Sequence, residues 1–83
     1  MTLEEYLKNK QPSKICLRLI EKLKDFSEES DFIIGALVFA ETESDKEKLL
    51  DYIENGEDVS YENILLYALE LDMERDKLNN ISE

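Results

Sequence analysis

The nucleophile and base pairs that most hydrolases and transferases use cannot be assembled from this sequence of 83 residues. It has no histidine and one cysteine, Cys16. Without histidine there is no Ser-His or Cys-His pair to activate a nucleophile, and one cysteine cannot complete a zinc site. Cys16 also falls on the apolar side of a helical pattern, which is typical of a buried, unreactive thiol. We therefore expect no enzymatic activity, no metal and no cofactor.

Carboxylates are the one abundant reactive group, with 21 aspartates and glutamates in the chain. Paired carboxylates can transfer protons, but no pair is distinguished by its spacing, so we expect no small-molecule substrate. The acids of segment 41–47 alternate like calcium ligands. A calcium loop of the EF-hand type that began at Glu41 would need glycine and glutamate where the sequence has Lys46 and Tyr52. These acids better suit a helix N-terminus, where the helix dipole favours negative charge.

Basic residues recur every four positions at Lys14, Arg18 and Lys22. The row offers only three charges to phosphates, on a chain whose formal net charge is −11. Segments 45–54 and 61–77 suggest a helix-turn-helix, but their linker is too long for that motif and the second segment is acidic. We therefore expect no direct binding to nucleic acid.

The charge is distributed unevenly along the chain. Residues 1–24 have six basic and three acidic side chains, whereas residues 25–83 have four basic and eighteen acidic ones. Such an asymmetry favours packing of a basic element on an acidic one, within a chain or between copies.

A cytoplasmic location is the expected one. The acidic first residues do not resemble a signal peptide, and the longest apolar run, 32–40, is about half the length of a membrane span. A single cysteine is compatible with a reducing compartment. Lysine outnumbers arginine 8 to 2, which indicates an AT-rich genome such as that of a bacterium or its phage.

The predicted fold is all-α, a small bundle of four to five short helices in one domain over residues 1–83. One proline and two glycines leave few points at which helices are broken. Capping boxes are expected at Thr2 with Glu5 and at Ser44 with Glu47, and Ser13, Ser30 and Ser60 are the other candidate caps. The predicted helices are 3–9, 13–26, 31–42, 45–54 and 61–77, with a disordered or frayed tail from about residue 77.

The segment from Phe32 to Ala40 is apolar throughout and has the composition of a strand. A strand needs a partner for its backbone groups, and no other segment of the chain has a strand pattern. A helix satisfies its own backbone, so we predict a buried helix here.

Two of the predicted helices are apolar enough to require a position at the centre of the one small core. The segment 31–42 is apolar on all sides, and the segment 61–77 is apolar over about 260° of its circumference. The other helices are too few to cover both, so one apolar surface is left over, and such surfaces mark interfaces. We predict a homodimer seam, or a site for a protein partner, with Ile34 and Val38 or Leu66 and Leu69 at its centre.

The function expected from these patterns is that of a small acidic protein that acts by binding protein, itself above all. The alternative is an acidic nucleic-acid mimic or inhibitor of the phage or mobile-element type, which would occupy a basic DNA- or RNA-binding protein. An enzyme would require a cleft with convergent carboxylates.

Overall fold

Five helices make up the part of the fold that the structure describes. The computed structural model describes residues 2–8 and 10–81, and the side chains up to residue 77. Across that range the chain is helical and contains no strand, which confirms the all-α prediction. The helices are α1 Leu3–Leu7, α2 Lys14–Lys24, α3 Ser30–Phe39, α4 Glu43–Asn55 and α5 Tyr61–Ile81.

Three of the predicted helix caps are present. The side-chain oxygens of Thr2, Ser13 and Ser60 each accept a hydrogen bond from the backbone N–H three residues further on, at 3.1, 3.1 and 3.2 Å. Each bond satisfies a donor that has no partner inside the helix. These caps fix the starts of α1, α2 and α5.

The predicted caps of α3 and α4 were wrong. Ser30 is the first residue of α3, which follows Glu29 and has no side-chain cap. In α4 the cap is Thr42, whose hydroxyl accepts from the Asp45 N–H at 3.0 Å, and not Ser44. With Thr42 as the cap, Asp45 points inward and its carboxylate accepts a hydrogen bond from Arg75 of α5. This tertiary contact favours the cap at Thr42 over the cap at Ser44.

The apolar segment is a helix, as predicted. In α3, Phe32, Ile33, Ala36 and Leu37 are buried. The helix ends at Phe39, three residues before the predicted end. A strand-like composition therefore forms a helix here because no second strand is available to it.

The core lies between four helices. In a ring of contacts, α2 packs on α4, α4 on α5, α5 on α3 and α3 on α2, while α1 packs on α3. Phe26, the last residue of the predicted second helix, is 38% exposed and lies beyond the end of α2 at Lys24. The buried apolar residues are Cys16, Leu19, Ile20, Leu23, Phe32, Ile33, Ala36, Leu37, Ala40, Leu49, Leu50, Ile64, Ala68 and Leu71.

The basic helix α2 lies beside the acidic helix α4. The Ser13 hydroxyl donates to the Glu43 carboxylate at 2.9 Å, and Arg18 Nη2 lies 3.7 Å from Glu54 Oε1. The uneven charge of the sequence is thus partly balanced within one chain.

The ends of α4 and α5 differ from the prediction. Helix α4 ends at Asn55, and Gly56 follows it in an extended conformation with φ −77°, although glycine after a helix often adopts the left-handed conformation. A Cβ at this position would lie 2.4 Å from the Tyr52 carbonyl oxygen, so close approach is what requires glycine here. Among the described residues, Asp58 has a positive φ, 54°. Helix α5 continues to Ile81, and the last residues of the expected frayed tail, 82 and 83, lie outside the described residues.

The described helices include none with the length and apolar character needed to cross a membrane.

Candidate interaction surface

The outward sides of α3 and α5 form an apolar surface. Val38 on α3 is 49% exposed, and Leu66 and Met73 on α5 are 57% and 53% exposed. Partly buried residues lie on the same sides of these helices. We name the whole the α3–α5 surface, and it consists of Ile34, Val38, Leu65, Leu66, Leu69 and Met73.

Helices α3 and α5 lie side by side and run in the same direction. At their N-terminal ends the rings of Phe32 and Tyr61 stack with centroids 4.4 Å apart. Midway, a Cβ placed on Gly35 would lie 3.9 Å from Leu65 Cδ2. At the far end, the backbone carbonyl of Phe39 accepts from Arg75 Nη1 at 3.4 Å. The outward sides of the two helices are therefore neighbours along their length.

Helical spacing explains why apolar residues of both helices face outward. Ile34 and Val38 are four residues apart and lie on the side of α3 opposite its buried residues. On α5 the buried side carries Ile64, Ala68 and Leu71. Positions 66, 69 and 73 recur at intervals of three and four on another side. Because both helices are apolar beyond the face that the core covers, apolar side chains remain at the surface.

All four residues predicted for the seam lie on the α3–α5 surface. Val38 and Leu66 are exposed, while Ile34 and Leu69 are partly buried. The structure brings both proposed pairs into one surface instead of two alternatives. Sequence reasoning missed Met73, which lies seven residues after Leu66 and so on the same side of α5.

Lysines line one edge of the surface. A hollow of about 470 Å³ beside Val38 is lined by Tyr6, Lys10, Glu41 and Lys46, together with Leu37. Lys46 Nζ donates to the Glu41 backbone carbonyl at 2.7 Å, and Lys10 Nζ lies 4.5 Å from the centroid of the Tyr6 ring. We call Lys10 and Lys46 the lysine edge.

Glutamates line the opposite edge. A hollow of about 220 Å³ beside Leu66 is lined by Tyr67 and Glu70, with Tyr52 and Asn63. Burial raises the pKa of the Tyr67 phenol, and the charges of surrounding carboxylates, including Glu74 and Glu70, raise it further. We call Glu70 and Glu74, which are one helical turn apart, the glutamate edge.

Arg75 of α5 contacts α4 and the segment between α3 and α4 at the end of the bundle, in addition to the Phe39 carbonyl of α3. Its guanidinium contacts the carboxylates of Asp72, Asp45 and Glu41; the Asp45 distance is 2.5 Å and the Glu41 distance 3.3 Å. Asp45 is only 8% exposed, and a buried carboxylate is costly unless it is paired. No sequence pattern signalled this network, because its partners at 41 and 45 are thirty or more residues from Arg75. The network occupies two of the acids that had suggested calcium.

Cys16 faces a small cavity between α1, α2 and α4. The cavity measures about 140 Å³, and its lining includes Tyr6, Pro12 and Lys46. Burial raises the pKa of the Cys16 thiol, an effect that nearby Lys46 partly opposes. The thiol is therefore protonated at neutral pH and a poor nucleophile. Among the described residues, no cluster of three or more cysteine, aspartate or glutamate side chains is arranged to hold a metal ion.

Comparison with known proteins finds no match to this chain, whether with protein-family models, curated proteins or solved structures.

Proposed function

We propose that this protein is a non-enzymatic interaction protein of the cytoplasm that forms a homodimer through the α3–α5 surface. The observation that carries the proposal is the exposure of Val38, Leu66 and Met73, each about half exposed, on two adjacent helices. Single exposed apolar residues are ordinary, but a contiguous group on one face is typical of an interaction site.

The size of the molecule is compatible with such a seam. A standard interface covers about 800 Å² on each partner, which is roughly one seventh of the 5882 Å² of accessible surface of this chain. The outward sides of two parallel helices, one of 10 residues and one of 21, offer an area of that order. A two-fold homodimer is the commonest assembly that buries such an apolar face.

Matched charge substitutions on two helices test the proposal. Leu66→Glu adds a negative charge at the centre of the α3–α5 surface. Leu17→Glu adds the same charge on α2, where Leu17 is 49% exposed and lies outside that surface. We expect Leu66→Glu to sediment as a folded monomer and Leu17→Glu as a dimer like the wild type. Equal masses for the two variants, or loss of helical circular dichroism in Leu66→Glu alone, would contradict the proposal.

A nucleic-acid mimic is the second candidate, and a row of acids on α4 favours it. Glu43, Glu47 and Asp51 follow one another at intervals of four residues, about 6 Å apart along the helix axis. Regularly spaced carboxylates can occupy a protein site built for phosphates. If the protein is a nucleic-acid mimic, it should bind a basic nucleic-acid-binding protein, and DNA or RNA should compete with it for that partner. Glu47→Lys should abolish that binding, and Leu66→Glu should not.

A further inference from the structure

The two long edges of the α3–α5 surface carry opposite charge. The lysine edge, Lys10 and Lys46, lies beside Val38 on the side of α1. The glutamate edge, Glu70 and Glu74, lies beyond Leu66 on the far side of α5. The apolar residues of the α3–α5 surface therefore separate the positively charged lysine edge from the negatively charged glutamate edge. The chain has only ten basic residues in all.

The symmetry of the dimer determines which edges of the two copies lie opposite each other. Two copies that pack face to face are related by a two-fold axis that lies in the plane of the interface. If the axis runs across the helices, each edge meets the same edge of its partner, lysines opposite lysines. If the axis runs along α3 and α5, the lysine edge of each copy meets the glutamate edge of the other. Like charges brought together at an interface are unfavourable, so the charges select the second arrangement.

We propose that two copies of this chain pair with the two-fold axis along α3 and α5, so that Lys10 and Lys46 of one copy lie against Glu70 and Glu74 of the other. This inference rests on the proposed function and specifies the geometry of its interface. Helices α3 and α5 of the two copies then run in the same direction. The two contacts between a lysine edge and a glutamate edge lie on either side of the apolar residues.

Lys77, three residues after Glu74 on α5, and Lys48, which lines a hollow together with Glu74, place positive charge near Glu74, so the opposite-charge contact is centred on Glu70. Glu41, which also lines the hollow beside Val38, has its carboxylate 3.3 Å from Arg75 Nη2. Asp31 and Glu62 lie at the N-terminal ends of the two helices, and Asp76 lies near the other end. Acids are present at both ends, so they meet acids in either arrangement, and the edges decide between the two.

A charge-swap mixing experiment tests the arrangement. Lys10→Glu places a negative charge at position 10 of the lysine edge, and Glu70→Lys places a positive charge at position 70 of the glutamate edge of another copy. Each variant alone brings like charges together at residues 10 and 70, whereas a mixed dimer has opposite charges at both contacts. Random pairing of an equal mixture gives heterodimers as about half of all dimers. We expect roughly nine tenths in native mass spectrometry at low salt, and a return towards half at high salt.

A lysine outside the surface supplies the control. Lys24, exposed at the end of α2, is replaced in Lys24→Glu, which has the same net charge as Lys10→Glu. Its mixture with Glu70→Lys should contain fewer heterodimers than the Lys10→Glu mixture. Glu74→Lys replaces Glu70→Lys if the latter does not fold by circular dichroism.

The outcomes separate this inference from the proposed function. A wild-type protein that remains monomeric overturns both. A wild-type dimer whose Lys10→Glu and Glu70→Lys variants pair at random, or no more selectively than the Lys24→Glu control, overturns the arrangement and leaves self-association intact.

Discussion

Replacing Gly35 by alanine should raise the free energy of unfolding by about 0.5–1 kcal/mol, because glycine inside a helix costs that much relative to alanine. The structure shows that the added methyl group has room. A Cβ at Gly35 would lie 3.9 Å from Leu65 Cδ2, which is an ordinary van der Waals contact, and Gly35 lies in the middle of α3. The increase in the free energy of unfolding is expected because residues 32–40 are helical, so its measurement tests the helix directly.

Gly56→Ala is the matched control and should have the opposite sign. Its Cβ would lie 2.4 Å from the Tyr52 carbonyl oxygen and 2.8 Å from the Tyr52 ring. The end of α4 must shift to admit it, at a cost of about 1–3 kcal/mol. The same chemical change is thus stabilising at one glycine and destabilising at the other.

Urea unfolding followed by circular dichroism measures both changes, at a protein concentration low enough to keep the chain monomeric. An unchanged or lower stability of Gly35→Ala, together with backbone chemical shifts of extended type over residues 32–40, would refute the helix. The reasoning about close approach at Gly56 fails if Gly56→Ala is as stable as the wild type.

Two further predictions concern ionisable groups. Burial raises the pKa of Cys16 and that of Tyr67 above their ordinary values, so the folded chain retains these protons to higher pH than the unfolded chain. Their contribution to stability is complete below the unfolded pKa values and is lost as pH rises through the folded ones. The melting temperature should fall above pH 9, with a shallower fall in Tyr67→Phe, and equal slopes would contradict the assignment. Arg75→Met should lower the urea midpoint because it leaves the Asp45 carboxylate buried without its partner. Adding Asp45→Asn should recover part of the loss, and strictly additive losses would show that the two groups are not coupled.

Local patterns determined much of the fold, and the sequence predicted those parts correctly. The caps at Thr2, Ser13 and Ser60 depend on contacts within four residues of the chain, so they can be read without knowing the fold. The same holds for the apolar stripe of α2, in which Leu19, Ile20 and Leu23 are buried.

The parts that sequence reasoning missed depend on distant contacts. Thr42 rather than Ser44 caps α4, and the Thr42 cap places Asp45 where Arg75 of α5 reaches it. Gly56 is required by the position of the Tyr52 carbonyl and not by its own φ. The spacing of residue types along the chain does not indicate these contacts between distant residues.

The candidate surface was partly predictable. Apolar residues in excess of what one core can bury indicated that a surface would remain, and Ile34, Val38, Leu66 and Leu69 all lie on it. The sequence could not show that α3 and α5 are parallel neighbours, which places the two pairs on one surface. It also could not place Lys10 beside Val38, because that contact depends on how α1 packs on α3.

The mass of the wild-type protein in solution is the most direct test of self-association. Sedimentation equilibrium from micromolar to millimolar concentration should give a mass that rises from the 9.7 kDa of one chain towards twice that value. A mass that stays at 9.7 kDa up to millimolar concentration would contradict the proposed homodimer.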